Sequence, residues 1–270
     1  MKEAIKKNIS RINKHLPFIY PMARKSYRLL KNNIFVTAFL FYKFVREYKK
    51  FKKLSTNRFA LRWSQRLPVL NQKQAAFGYD RHYLFHIAWA SRKLASIRPQ
   101  RHIDISSQIY FIASVSAFIP VKYYEFKAID AKLDNLSFGS ADLVNLPFKD
   151  KSIASLSCMH VVEHVGLGRY GDPLDYDGDL KAIFQLQRVL AVGGNLLFVV
   201  PISGLPRIEY NAHRIFSYQQ ITNAFGELRL KEFALIPDKH DDGDILFNAT
   251  KEMADAQCHG CGCFWFVRDK

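Results

Sequence analysis

GDLKAIFQLQRVLAVGGNLLFVVP, residues 178–201, decides the fold. Leu180, Ile183, Leu186 and Leu190 recur at the spacing of one helix face, so residues 178–190 read as an amphipathic helix. Val192-Gly193-Gly194 stops that helix, and NLLFVVP follows as an apolar run without polar alternation, the mark of a strand buried on both faces. A helix that feeds straight into such a strand belongs to a parallel sheet covered by helices.

Working outward, short β-rich runs alternate with helical ones. RHIDIS (101–106), VKYYEFK (121–127) and SIASLSCMHV (152–161) read as strands, with IYFIASVSAF (109–118) as an apolar helix between the first two. DRHYLFHIAWASRKLASIR (80–98) reads as one helix leading into the first strand. Downstream, Ser217 followed by Gln220 forms a capping-box pattern that starts another helix. LRLKEFALIPD (228–238) and CGCFWFVRD (261–269) then read as two strands with no helix between them, which predicts an antiparallel closing pair. The expected fold is α/β, a doubly wound and mostly parallel Rossmann-like sheet with an antiparallel final strand, plus a basic helical N-terminal arm.

The net charge of +16 is concentrated in that arm, because residues 1–60 hold sixteen Lys or Arg against only Glu3 and Glu47. The expected organisation is therefore an arm over 1–60 and one Rossmann-like domain over 61–270. Within the arm IFVTAFLFY (34–42) is shorter than the roughly 20 apolar residues that span a bilayer. Ile34, Ala38, Phe41, Val45 and Tyr48 recur at helical spacing with lysines and arginines around them. That pattern suits either packing on the rest of the chain or peripheral contact with an anionic membrane. No zinc-finger, KH-type or RNP-type signature accompanies the charge, so no specific nucleic acid is expected. Four cysteines without framework spacing, and an opening MKEAIKKNISRINKHLPF without an apolar core, predict a reducing, cytoplasmic setting.

CMHVVEHVGLGRYGDP (158–173) contains His160, Glu163 and His164 as H-x-x-E-H, a zinc-peptidase signature when it lies on a helix. Here strand-like SIASLS precedes it, and Gly166, Gly168 and Gly171 follow, breaking any helix within a turn of His164. The segment reads as a strand end opening into a glycine-rich loop, where open α/β sheets bind ligands, and no metal is assigned to it. CHGCGC (258–263) has the ligand types for zinc, but Cys261 and Cys263 alternate along a predicted strand and share one face. They read as buried free thiols.

SLSCMHVVEHV, DLKAIFQLQRVLAVGGNLLFVVP and HRIFSYQQI together resemble the second half of class I S-adenosylmethionine-dependent methyltransferases. More closely, HIDISS, ADLVNLPF, HVVEHVGLGRYGDP, NAHRIFSY and CGCFWF resemble an uncharacterised bacterial family of methyltransferase-like proteins associated with surface-polysaccharide genes. The resemblance covers about residues 77–268. It implies the S-adenosylmethionine cofactor and a small-molecule or glycan acceptor. Asp104 takes the place of the first-strand acid near the methionine part, and Glu125 that of the ribose-binding carboxylate, with Asp130 as the fallback. Asp142 and Leu143 take the places beside the adenine. The chain departs from the family's G-x-G-x-G turn, placing Ser106, Gln108 and Tyr110 there. Ser106 is then a cofactor contact in an altered turn, or the turn no longer binds and the protein is a non-catalytic scaffold.

Methyl transfer to a hydroxyl needs one positioned base. His164 or His213 is the first candidate, with His160 beside them and Glu163 orienting a histidine or the acceptor. Arg169, Tyr170 and Asp172 are candidate acceptor contacts, although Asp172 before Pro173 equally suits a turn.

Overall fold

The computed structural model describes residues 19–54, 61–68, 70, 79–127 and 129–270, and the chain divides into two units, Met1–Gly78 and Tyr79–Lys270. Charge alone puts the boundary near residue 60. Residues 1–18 and 55–60 of the predicted arm lie outside the described residues.

In the first unit, helix α1 (Ile19–Lys53) ends in a turn carrying Lys50, Lys52 and Lys53, which suits the negative end of the helix dipole. The side chain of Ile34 lies outside those described, and Ala38 and Phe41 are exposed. Leu40, Phe44, Val45 and Tyr48 form the half-buried face instead. Tyr48 meets Trp63 edge-on at 4.8 Å between ring centroids, and its hydroxyl donates to the Leu61 carbonyl at 3.4 Å. Among the described residues no helix is long and apolar enough to cross a membrane.

The second unit begins with α2 (Arg81–Ile97), capped by Asp80, whose carboxylate accepts from the Tyr83 N–H at 3.2 Å. Its buried face carries His86, Trp89, Ala90 and Leu94. There follow β1 (His102–Ile105), α3 (Ile109–Val115), β2 (Val121–Glu125), β3 (Leu136–Ser140), β4 (Ile153–Met159), α4 (Gly178–Val189) and β5 (Leu190–Ile202). The remaining elements are β6 (Arg207–Glu209), β7 (His213–Ile215), α5 (Tyr218–Ala224), β8 (Arg229–Ile236), β9 (Leu246–Phe247), α6 (Lys251–Asp255) and β10 (Gly260–Val267).

The main sheet runs β3-β2-β1-β4-β5-β10-β8-β9. The first five neighbours pair in parallel, and β10 is inserted antiparallel between β5 and β8. This is the doubly wound sheet expected of the class I methyltransferase type, antiparallel closing strand included. Along β5, Leu196, Phe198 and Val200 enter the core on one face while Leu197 and Val199 enter the other, so the unbroken apolar run reports burial on both sides. On α4 the buried face is Ala182, Ile183, Leu186 and Val189, and Leu180 is exposed, shifting the predicted stripe by part of a turn. Ser217 and Gln220 complete the capping box of α5 with reciprocal bonds of 3.1 and 2.9 Å.

Between β8 and β10 the structure has a helix where none was expected. Thr250 accepts from the Met253 N–H at 3.3 Å and starts α6, whose five residues are too few to show a helical period.

Candidate functional site

The carboxyl ends of β1, β2 and β4 open on a cleft of about 500 Å³. Its lining includes Ser106, Gln108, Glu125, Asp142, Leu143, Met159, His160, His164, Tyr170 and Asp172. The altered turn after β1 brings Ser106 against Glu125. Ser106 adopts φ +57, the left-handed region that glycine usually supplies, and its N–H donates to the Tyr124 carbonyl at 2.8 Å. Its hydroxyl lies 3.1 Å from Glu125 Oε1. Gln108 caps α3 by accepting from the Phe111 N–H at 3.1 Å. Tyr110 is 74% exposed and does not line the cleft.

Glu125 also accepts from the Phe126 N–H at 2.9 Å and the Tyr123 hydroxyl at 2.7 Å. Burial, and then the bond to Glu125, push the Tyr123 phenol well up, so it stays a donor. Asp142 accepts from the Val144 N–H at 3.0 Å, and buried Leu143 follows it.

Two expected cofactor contacts are elsewhere. Asp104 is fully buried below the turn and does not line the cleft. One of its oxygens accepts from the Ser107 N–H at 2.9 Å and the other from the Ser157 hydroxyl, which also meets the buried His102 ring at 2.8 Å. Burial raises the Asp104 carboxyl to about 6, partly offset by those serine donors, and lowers His102 to about 3. Asp104 thus shapes the turn from beneath. Asp130 is exposed and outside the lining, because the chain leaves the strand ends after β2 before reaching it.

H-x-x-E-H straddles a strand end. His160 directly follows β4 at φ +56, its N–H bonded to the Val199 carbonyl at 2.8 Å, and Val162–His164 form a single 3-10 turn. The two imidazoles therefore do not share a helix face as a zinc-peptidase pair would. Glu163 is 1% exposed, accepts from His160 Nδ1 at 2.9 Å, and is raised to about 7 by burial, with His164 opposing.

His164 Nδ1 lies 2.7 Å from the Ala212 carbonyl, which can only accept, so Nδ1 carries the proton and Nε2 presents a lone pair. Burial lowers its pKa, keeping the ring neutral. His213 does not line the cleft, since the β6–β7 pairing sets it opposite Glu209 and it stacks on His259 at 5.3 Å.

Of the loop candidates, Tyr170 and Asp172 line the cleft, but Arg169 donates to the Ala212 carbonyl at 2.9 Å and lies outside it. Asp172 accepts from the Gly166 N–H at 2.7 Å and the Tyr170 N–H at 3.2 Å, so it builds the loop. Gly166 stands at φ +82 with the Asp175 carbonyl against its α-carbon, leaving no room for a Cβ.

Sequence reasoning missed Tyr83, which reaches the cleft from α2, and Arg214. Arg214 is 5% exposed, donates to the Val165 carbonyl at 2.6 Å and the Tyr176 carbonyl at 2.9 Å, and pairs with Asp179 at 3.4 Å, closing the loop on itself. An arginine inside the apolar-flanked NAHRIF was the available signal.

The family described as "Caenorhabditis protein of unknown function, DUF268" matches residues 140–230, which hold β4 through α5. That description mentions neither bacteria nor polysaccharide genes, unlike the group the sequence resembles. No curated protein matches the chain. Among solved structures, the N-methyltransferase NodS from Bradyrhizobium japonicum in complex with S-adenosylhomocysteine is 11% identical, over 72% of this chain and 90% of its own, with a TM-score of 0.48. A 1,6-didemethyltoxoflavin-N1-methyltransferase from Burkholderia thailandensis is 11% identical, over 68% of this chain and 79% of its own, with a TM-score of 0.49.

Proposed function

We infer that the second unit is an S-adenosylmethionine-dependent methyltransferase. The observation that carries this is Glu125, a carboxylate at the end of β2 that opens on the cleft beside the left-handed Ser106 turn. A carboxylate only accepts, which suits the two hydroxyls of a ribose, and Asp142 offers the same chemistry to an amine. The cleft is of the size that holds a nucleoside-like ligand. The cofactor supplies an already activated methyl group, leaving the chain to bind, align and deprotonate. His164, neutral and with Nε2 unprotonated, is the base for an acceptor hydroxyl, and the buried Glu163 near it positions the histidine pair.

The acceptor is a hydroxylated small molecule, of the saccharide type that the sequence resemblance implies. For the basic α1 helix the reading is peripheral contact with an anionic membrane.

One observation favours a second reading. Glu125 already takes three internal donors, as a carboxylate retained to lock the turn of a non-catalytic scaffold would. Isothermal titration with S-adenosylmethionine and S-adenosylhomocysteine separates the two. Saturable binding that Glu125→Ala weakens about tenfold or more supports the enzyme. Absence of heat and of thermal shift with folded protein at millimolar ligand leaves the scaffold.

A further inference from the structure

Five histidines gather around the end of β4 on the α2 side of the sheet. His82 stacks over His160 with centroids 6.1 Å apart, and His86 meets His160 edge-on at 4.9 Å. His259 approaches His82 at 5.6 Å, and His213 stacks on His259. Cys261, fully buried on β10, points its Sγ at His160 Nε2 from 3.4 Å. One nitrogen of His82, one of His160 and the Cys261 sulfur all lie within 4.8 Å of one another.

We propose that His82, His160 and Cys261 form a three-ligand site for a divalent transition ion of the zinc type, at the wall of the cleft that His160 lines. This does not depend on the methyltransferase reading.

Three features carry it. Donors bound at about 2.0–2.3 Å to a tetrahedral ion stand about 3.5 Å apart, and the His160–Cys261 separation already has that value. His160 Nδ1 lies 2.9 Å from Glu163 Oε1, which leaves Nε2 as the nitrogen that faces Cys261. A carboxylate behind a histidine is the usual support of a metal-bound imidazole. Finally, no hydrogen bond within the described residues engages the His82 ring, so a ring nitrogen of His82 is free to bind an ion. Two imidazoles and one thiolate suit zinc over calcium or magnesium, and three protein ligands leave one position open.

On binding, the Cys261 S–H bond breaks, its proton goes to solvent, and the thiolate bonds to the ion. Nothing is oxidised or reduced.

The test uses the full chain, stripped with chelator and titrated with Co2+ and then Zn2+. The expected result is one equivalent of Co2+ per chain with a thiolate-to-cobalt charge-transfer band, one proton released per ion, and displacement by Zn2+. Cys261→Ser abolishes the band, Glu163→Gln weakens the affinity about tenfold to a hundredfold, and His82→Gln, which removes a ligand, weakens it at least as much. Cys258→Ser, at the exposed cysteine of the same segment, leaves the band unchanged. Absence of the band in the wild type overturns the proposal, as does a band that survives Cys261→Ser or disappears in Cys258→Ser. Circular dichroism checks each fold, and because Cys261 is in the core, His82→Gln at its half-buried helix position decides the matter if Cys261→Ser does not fold. Unchanged affinity in folded His82→Gln overturns the site.

Discussion

The Ser106 hydroxyl lies 3.1 Å from Glu125 Oε1 while the Ser106 backbone stands at φ +57, so one residue both bears left-handed strain and secures the carboxylate beside it. The two roles separate by substitution. Ser106→Ala keeps the strain and loses the bond, costing about 1–2 kcal/mol. Ser106→Gly loses the same bond but gains back about 1 kcal/mol from the relaxed backbone. Urea denaturation should therefore rank the wild type first, glycine second and alanine last. A glycine variant no more stable than alanine would show that the left-handed conformation costs nothing here.

Asp104 gives a pH signature with a definite sign. Its carboxyl is raised by burial to about 6, from an ordinary value of 3.8, so the native state holds the proton more tightly than the unfolded chain. That contribution is complete below about pH 4 and is lost as the pH rises through about 6, a change on the order of 3 kcal/mol. Neighbouring His102, lowered to about 3, contributes with the opposite slope, losing stability as pH falls, so the wild-type profile alone mixes the two. Ser107, Ser157 and Glu125 are the other groups acting on Asp104. Asp104→Asn removes one titration and keeps the other. Its stability relative to the wild type should rise between about pH 4 and 6 and level off above, as read from urea midpoints across that range. A difference independent of pH would mean the carboxyl is not raised.

Much of the sheet could be read from sequence because its signals are local. The unbroken run of β5 and the Ser217–Gln220 box each depend on residues a few positions apart. Glu125, assigned through the family resemblance, does line the cleft at the end of β2. Asp104 and His213 lie off the cleft lining, because sequence position does not say where a side chain turns. The one points beneath its turn to Ser157, and the other is held by the β6–β7 pairing. The histidine cluster was not legible at all. His82, His160 and Cys261 come from α2, β4 and β10, and only the insertion of β10 beside β5 brings the cysteine to the end of β4. Within their own motifs Cys261 in CHGCGC read as a buried thiol and His160 in H-x-x-E-H as a candidate for base chemistry, neither as a metal ligand.

The loop after β4 makes a graded prediction about glycine. Gly166 and Gly171 have nearly the same φ, +82 and +85, but a Cβ at Gly166 would run into the Asp175 carbonyl while one at Gly171 meets nothing within 4 Å. Gly171→Ala should cost only the left-handed penalty, about 1 kcal/mol. Gly166→Ala adds an overpacking cost and should lose about 2–4 kcal/mol, with the loop displaced from Asp172. Denaturant midpoints measure both. Equal losses would show that the loop moves freely away from residues 172–175.

The α1 helix exposes both aromatic and basic side chains, so the proposed membrane contact can be tested. Phe35, Phe39, Tyr42 and Phe51 are each more than half exposed, and Lys49, Lys50, Lys52 and Lys53 are exposed at its carboxyl end. Each lysine near an anionic bilayer contributes about 1 kcal/mol, so replacing these four by glutamate should weaken binding to phosphatidylserine-containing vesicles by roughly two to three orders of magnitude. Raising the salt should weaken the wild type in the same direction, because surface charges are screened within about 10 Å at 0.1 M ionic strength. Sedimentation with anionic and with neutral vesicles measures this, and neutral vesicles should show little binding by either form. If the glutamate variant binds anionic vesicles as well as the wild type does, the lysines are simply solvated, and if the wild type binds no vesicles the helix does not serve a membrane.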